Sequence, residues 1–205
     1  MGANYNGIDR PPSQANFAWT DLAVGIPLGD FATMSIGKQR EGVSQIMQMV
    51  GTGSPFMERA TITTALLPTR NVGVVFFHPI LKERMTWSAG WFNSWIESGD
   101  INSFGTNGNQ FVGRMNGLPF YKDKGAKLLQ LGVAYRYSQA QDGKFHFRSK
   151  GEDNDGPNFV DTASFPAEYS NMVVLQGATV TGPLSFQAEY LHTEVEAPKV
   201  GDPRF

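Results

Sequence analysis

The sequence predicts an all-β fold: an antiparallel transmembrane β-barrel meander with about eight strands present. Three observations predict it. Hydropathy alternates with period two along eight runs, as strands with one greasy face require. Several runs reach about 9 to 11 residues, the length a tilted strand needs to cross a bilayer, whereas a globular strand averages about 5 to 6. The links between runs alternate strictly between short and long, as in a meander with tight turns on one side of a membrane and long loops on the other. A Greek-key sandwich is not expected to alternate so regularly.

Composition narrows the classes. The 205 residues carry a net charge of −2, no Cys and only 18% charged residues, below the roughly 25% of soluble domains. Without Cys, disulfide scaffolds, thiol catalysis and Cys-ligated metals are excluded. The near-zero charge argues against nucleic acid as a partner. No run of about 18 apolar residues exists, so no transmembrane helix is predicted. A soluble all-β protein and a membrane barrel remain.

The elements follow in order. Met1 to Asn16 is polar, with no basic start and no apolar stretch, so residues 1–16 are not a signal peptide. The chain is therefore cytosolic, or a mature or internal piece of an exported protein. Phe17 to Ile26 sets Leu22, Val24 and Ile26 against Asp21, Ala23 and Gly25. Phe31 to Gln39 sets Met34 and Ile36 against Thr33 and Ser35. Asn71 to Phe77 aligns Val72, Val74 and Phe76. Arg84 to Phe92 sets Met85, Trp87, Ala89 and Trp91 against Thr86, Ser88 and Gly90. Gln110 to Leu118 sets Phe111 and Met115 against Gln110, Arg114 and Asn116. Lys127 to Ser138 is the clearest run, with Leu129, Leu131, Val133, Tyr135 and Tyr137 opposite Gln130, Gly132, Ala134, Arg136 and Ser138. Tyr169 to Val180 is apolar on both faces and its facing stays open. Leu184 to Thr193 sets Leu184, Phe186, Ala188 and Tyr190 against Ser185, Gln187 and Glu189.

The short links are 27–30, 78–83, 119–126 and 181–183; the long ones are 40–70, 93–109 and 139–168. The first long link is rich in apolar residues, including Ile46, Met47, Met49 and Leu66. Such a loop is expected to pack against something, the lumen being the available place, and long structured loops are commonly functional. Lys144 to Arg148 alternates and is expected to extend the preceding strand as a hairpin arm.

Enzyme signatures are weak. Gly51-Thr52-Gly53-Ser54 lacks the third glycine and the strand-to-helix setting of a dinucleotide fingerprint. His78, His146 and His192 are scattered without metal-ligand spacing. The acidic stretch around Glu152, Asp153 and Asp155 lacks the later bidentate Glu of a calcium loop and reads as a solvated loop. No cofactor and no metal are expected, and the chain is not read as an enzyme.

The basic residues carry the functional signal. Arg114 and Arg136 sit mid-strand on the polar face. At a lipid-facing midplane an Arg costs about 2–4 kcal/mol, so both should face a lumen. Lys38, Arg40, Arg59, Arg70 and Arg84 fall at strand ends or in the first long link. Rings of Arg and Lys attract anions into a pore, which makes Arg114, Arg136, Lys38, Arg59, Arg70 and Arg84 the candidate channel-lining residues. The bland alternative pairs Arg114 and Arg136 with inward carboxylates such as Asp21 and Glu189, as filling of the wall.

A series of short motifs adds a family likeness. Ile36-Gly37-Lys38-Gln39, Phe56-Met57-Glu58-Arg59 and Pro68-Thr69-Arg70-Asn71-Val72-Gly73-Val74 come first. Thr86-Trp87-Ser88-Ala89-Gly90, Gly113-Arg114 with Leu118-Pro119, and Leu128-Leu129-Gln130-Leu131-Gly132 follow. Phe159-Val160-Asp161-Thr162 and Gly182-Pro183-Leu184-Ser185 with Gln187-Ala188-Glu189-Tyr190 end the series. In this order and spacing, over about residues 17–195, the chain resembles the phosphate-selective porin O and P family.

That resemblance implies a sixteen-stranded barrel in the Gram-negative outer membrane, a homotrimer set in lipid and lipopolysaccharide, and passive passage of small anions such as phosphate or polyphosphate. Arg114, and after it Arg59 and Arg70, would line the channel. The expected organisation is a polar segment at 1–16, a partial barrel at 17–195 and a tail at 196–205, with the chain a fragment of such a porin. Pro198 and Pro203 are expected to break any strand near Phe205. Two other readings remain open: a complete eight-stranded barrel with a structural or adhesion role, and a soluble β-sandwich binding carbohydrate through Trp91, Trp95 and Tyr121.

Overall fold

The computed structural model describes residues 2–5, 17–49, 59–68, 70–93, 108–140, 143–150 and 157–205. The Gly51–Ser54 motif, Trp95, the acidic residues 152–156 and segment 6–16 lie outside the described residues.

All eight predicted runs are strands. They are β2 (Phe17–Leu28), β3 (Ala32–Gln39), β4 (Asn71–Ile80), β5 (Met85–Phe92), β6 (Gln110–Lys122), β7 (Lys127–Gln139), β12 (Tyr169–Thr181) and β13 (Leu184–Glu196). Before them comes β1 (Gly2–Tyr5), paired antiparallel with β2 inside the stretch read as polar. Within the last long link lie four short strands, β8 (Lys144–Phe145), β9 (Arg148–Lys150), β10 (Asn158–Asp161) and β11 (Phe165–Pro166). The nine-stranded sheet has the order β1-β2-β3-β4-β5-β6-β7-β12-β13, each strand beside its sequence neighbour save for the β8–β11 insertion. This is an antiparallel meander. It is not closed, since β1 and β13 stand at opposite edges.

Strands run further than alternation suggested. β6, β7, β12 and β13 have 13 residues each. The link expected at 119–126 shrinks to a 3-10 turn at Asp123–Gly125. Pro119 stays inside β6 because the register shifts between Gly117 and Phe120. A bulge there leaves room for a residue with no N–H to donate.

The two faces of the sheet differ. Leu131, Val133 and Tyr135 of β7, Leu175 of β12 and Phe186 and Tyr190 of β13 stand exposed on the outer face. A contiguous apolar surface of this kind marks contact with lipid or protein. The inner face is covered. Val43, Met47, Leu66 and Leu67 from the first long link, and Phe145, Phe147 and Ala167 from the last, pack against Phe92, Val112, Ala134, Met172, Val174 and Leu191. That answers the facing of β12: Met172 and Val174 are apolar yet inward because inserted loops cover them, while Val173 and Leu175 look outward.

One expectation is corrected. Lys144 to Arg148 does not extend β7; β8 pairs with β11 and β9 with β10 inside the loop, and burial of Phe145 and Phe147 drives that fold. The segment with Pro198 and Pro203 forms no strand, as expected, and pairs with β13 only through an isolated bridge between Glu194 and Arg204. The Pro203 carbonyl accepts the Val195 N–H, and Phe205 and Thr193 exchange both backbone hydrogen bonds. Pro203 contributes only its carbonyl there, so its missing N–H is not needed.

Candidate functional site

Register defines rows of side chains across the inner face. One row runs Thr86, Asn116, Gly132, Gln176, Glu189 across β5, β6, β7, β12 and β13. The next runs Ser88, Arg114, Ala134, Val174, Leu191, and the one beyond it Gly90, Val112, Arg136, Met172, Thr193. In β6, β7, β12 and β13 the first two rows lie mid-strand and the third lies towards the side of the long links. Against the rows folds the start of the first long link, with helix α1 (Gln45–Gln48) and, further on, helix α2 (Thr61–Leu66).

The first anchor is an ion pair. Arg136 Nε donates to Glu41 Oε2 at 2.6 Å, and Nη2 reaches Oε1 at 3.4 Å. Asn71 Nδ2 donates to Glu41 Oε1 at 3.2 Å and to Gln110 Oε1 at 2.6 Å. All four residues are buried. Such a pair is retained only when hydrogen bonds satisfy the remaining lone pairs, which Asn71 does here.

The second anchor is Glu189. Its Oε2 accepts from Ser44 Oγ at 2.6 Å, and Oε1 accepts from the N–H groups of Gln45 at 2.5 Å and Ile46 at 3.1 Å. Ser44 Oγ in turn accepts the Met47 N–H at 3.2 Å. A helix start leaves its first N–H groups without intrahelical partners. Glu189 and Ser44 together satisfy those of α1, a local cap supplied from a strand 145 residues away. The far end of α1 is closed by Arg40, whose Nη1 donates to the carbonyls of Met47 at 2.7 Å and Met49 at 2.9 Å. Between the anchors, Gln176 Nε2 donates to the Val43 carbonyl at 2.6 Å and Gln45 Nε2 to Gln130 Oε1 at 3.0 Å.

Arg114 lies beside this segment, partly buried, with amide partners. Its Nη2 donates to Gln176 Oε1 at 2.8 Å. The Asn116 amide, turned so that its oxygen faces the guanidinium, accepts from Nε at 2.9 Å and Nη2 at 3.2 Å and donates to Gln176 Oε1 at 3.2 Å. Among the described residues no carboxylate lies within ion-pair distance of Arg114, and Glu189 stands beside its partner Gln176 in register. Gly132 gives the amide cluster its space: a Cβ there would overlap the Asn116 amide and crowd Gln176 Oε1.

The structure distributes the predicted site residues unevenly. It brings Arg114 and Arg136 to the inner face, Arg136 neutralised by Glu41. Arg70 forms a forked pair with Asp21, Nε and Nη2 each at 3.1 Å from a carboxylate oxygen, above the same face. Arg59 is partly buried just before α2. Lys38 lies opposite Leu22 and Val72 in register, in line with Ile36 on the outer side. Arg84 is exposed in the tight turn, its guanidinium 4.7 Å from the Tyr121 ring centroid.

Sequence reading missed Glu41, Asn71, Gln110 and Gln176. Gln176 carried the signal of a polar residue in the middle of an apolar strand, and Gln110 that of a polar residue opening one. Glu41 carried less, a lone acid at the start of an apolar loop. Asp21 and Glu189 were visible as inward carboxylates, but Asp21 serves Arg70 and Glu189 serves α1.

A family model described as phosphate-selective porin O and P matches residues 2–205. The match includes β1 and the tail. No curated protein matches the chain.

Proposed function

Because the chain belongs to the phosphate-selective porin O and P family, we propose that it forms the wall and constriction of an outer-membrane channel for small anions such as phosphate. The outer face meets lipid and lipopolysaccharide. The inner face holds segment 41–48, which narrows the lumen at mid-height. The sheet ends at β1 and at β13, where the tail's backbone bonds only Thr193 and Val195, and ladder groups left unpaired are not tolerated in a bilayer. In this reading further strands complete a sixteen-stranded barrel, assembled as a homotrimer, of which this chain is a part.

One observation carries the reading: the inserted segment is pinned on both sides of Arg114, yet Arg114 keeps neutral amide partners. Its charge is therefore available to a passing anion. Amides hold it in place without cancelling it, and a water-filled lumen keeps the attraction weak enough for release. Arg136 and Arg70, matched to carboxylates, stiffen the wall. No covalent chemistry is involved.

Chloride currents through planar bilayers test this. Added phosphate should lower the current through the assembled protein in a concentration-dependent way, as a more strongly held anion occupies the constriction. Chloride current that is unaffected by phosphate would contradict phosphate as the solute.

A further inference from the structure

Glu189 occupies an unusual place. It is the acid of the mid-height row, next to Gln176 in register, two strands from Gly132 and three from Asn116. Its carboxylate accepts three hydrogen bonds, all from neutral groups: one hydroxyl and two backbone N–H groups of the inserted segment. No cation is within ion-pair distance of it among the described residues, so its negative charge is not neutralised locally. Its register neighbour Gln176 accepts from Arg114 Nη2 at 2.8 Å, so a single side chain separates the two charges. The other inward acids are spent differently, Glu41 on Arg136 and Asp21 on Arg70.

We infer that Glu189 is a specificity-determining residue of the channel, holding the constricting segment with its oxygens and moderating the pull of Arg114 on anions with its charge. The inference rests on the channel reading. The two roles separate chemically. Hydrogen-bond acceptance needs an oxygen, which an amide also has; moderation of Arg114 needs a charge, which an amide lacks. An anion entering the constriction meets Arg114 and Glu189 together. A cation is not fully excluded, and a bound anion is not held too firmly to leave.

The test compares reversal potentials in a salt gradient for the reconstituted protein and for Glu189→Gln, Glu189→Asp and Ser44→Ala. Glu189→Gln keeps an oxygen for Gln45 and Ile46, so unitary conductance should persist while the anion-to-cation permeability ratio rises about twofold or more. Glu189→Asp keeps the charge and should stay near the parent ratio. Ser44→Ala weakens the anchor without changing charge, and should leave the ratio alone while making the current noisier. An unchanged ratio in Glu189→Gln, or an equal shift in Ser44→Ala, would overturn the inference while leaving the channel standing. A parent protein that conducts no ions would overturn the channel reading itself.

Discussion

Arg136 and Glu41 meet at 2.6 Å, and each side chain is only 2% exposed. The pair joins the wall of the sheet to the first residue pinned in the inserted segment. Removing one partner leaves the other charge buried alone, which typically costs about 3–5 kcal/mol. Glu41→Gln and Arg136→Met should therefore each lower the denaturant midpoint of the folded, membrane-inserted protein. The exchange Glu41→Arg with Arg136→Glu should recover part of the loss. If either single variant unfolds at the parent midpoint, the pair is not an anchor.

Gly132 is the second mechanical point. Gly132→Val should displace the Asn116 and Gln176 amides from Arg114, since the bare backbone gives them their space. Overpacking of this kind costs about 1–3 kcal/mol. The expected readouts are a lower denaturant midpoint and an altered unitary conductance. An unaffected conductance would show that the amide cluster does not shape the lumen.

The outer face makes a third prediction. Val133 lies mid-strand on β7, between Met115 and Leu175 in register. Val133→Arg should destabilise insertion into lipid vesicles by about 2–4 kcal/mol, the cost of Arg at a bilayer midplane. Gln130→Arg, on the inner face of the same strand, should cost much less. Equal costs would contradict the assignment of faces.

A fourth concerns the last long loop. The Ala163 N–H, His146 Nε2 and Asn158 Nδ2 all bond the Asp161 carboxylate, and together they hold its pKa down at about 2. A carboxyl depressed below its ordinary value of about 3.9 stabilises the fold above that value and loses the contribution as pH falls towards 2. The β9–β10 hairpin should therefore hold its structure to about pH 4 and loosen below it. Carboxyl carbon shifts should titrate near 2, and Asn158→Ala should move that midpoint up. A midpoint at about 3.9 in the parent would contradict the arrangement.

Much of the wall was legible in the sequence, because period-two alternation is a direct imprint of a sheet with two solvents. Lys127 to Ser138 announced β7 and its faces with no other information. The strand ends were less legible: Pro119 reads as a terminator, and only the bulge at Gly117 to Phe120 keeps it in β6. The site was legible by halves. Arg114 and Arg136 stood out as charges in membrane-length strands. Their partners did not, because Glu41 to Arg136 spans 95 positions and Ser44 to Glu189 spans 145, and no local pattern encodes a contact so distant. The facing of β12 stays open in the sequence for the same reason. The cover of its inward apolar residues comes from loops whose path the sequence does not display.

In the proposed channel Arg114, held by amides at a pinned constriction, sets the preference for anions. Reversal potentials in a salt gradient across a planar bilayer test it most directly, on the assembled protein and on Arg114→Glu. The expected result is anion preference in the parent and its loss or inversion in the variant. Cation preference in the parent, or an unmoved reversal potential in Arg114→Glu, would contradict it.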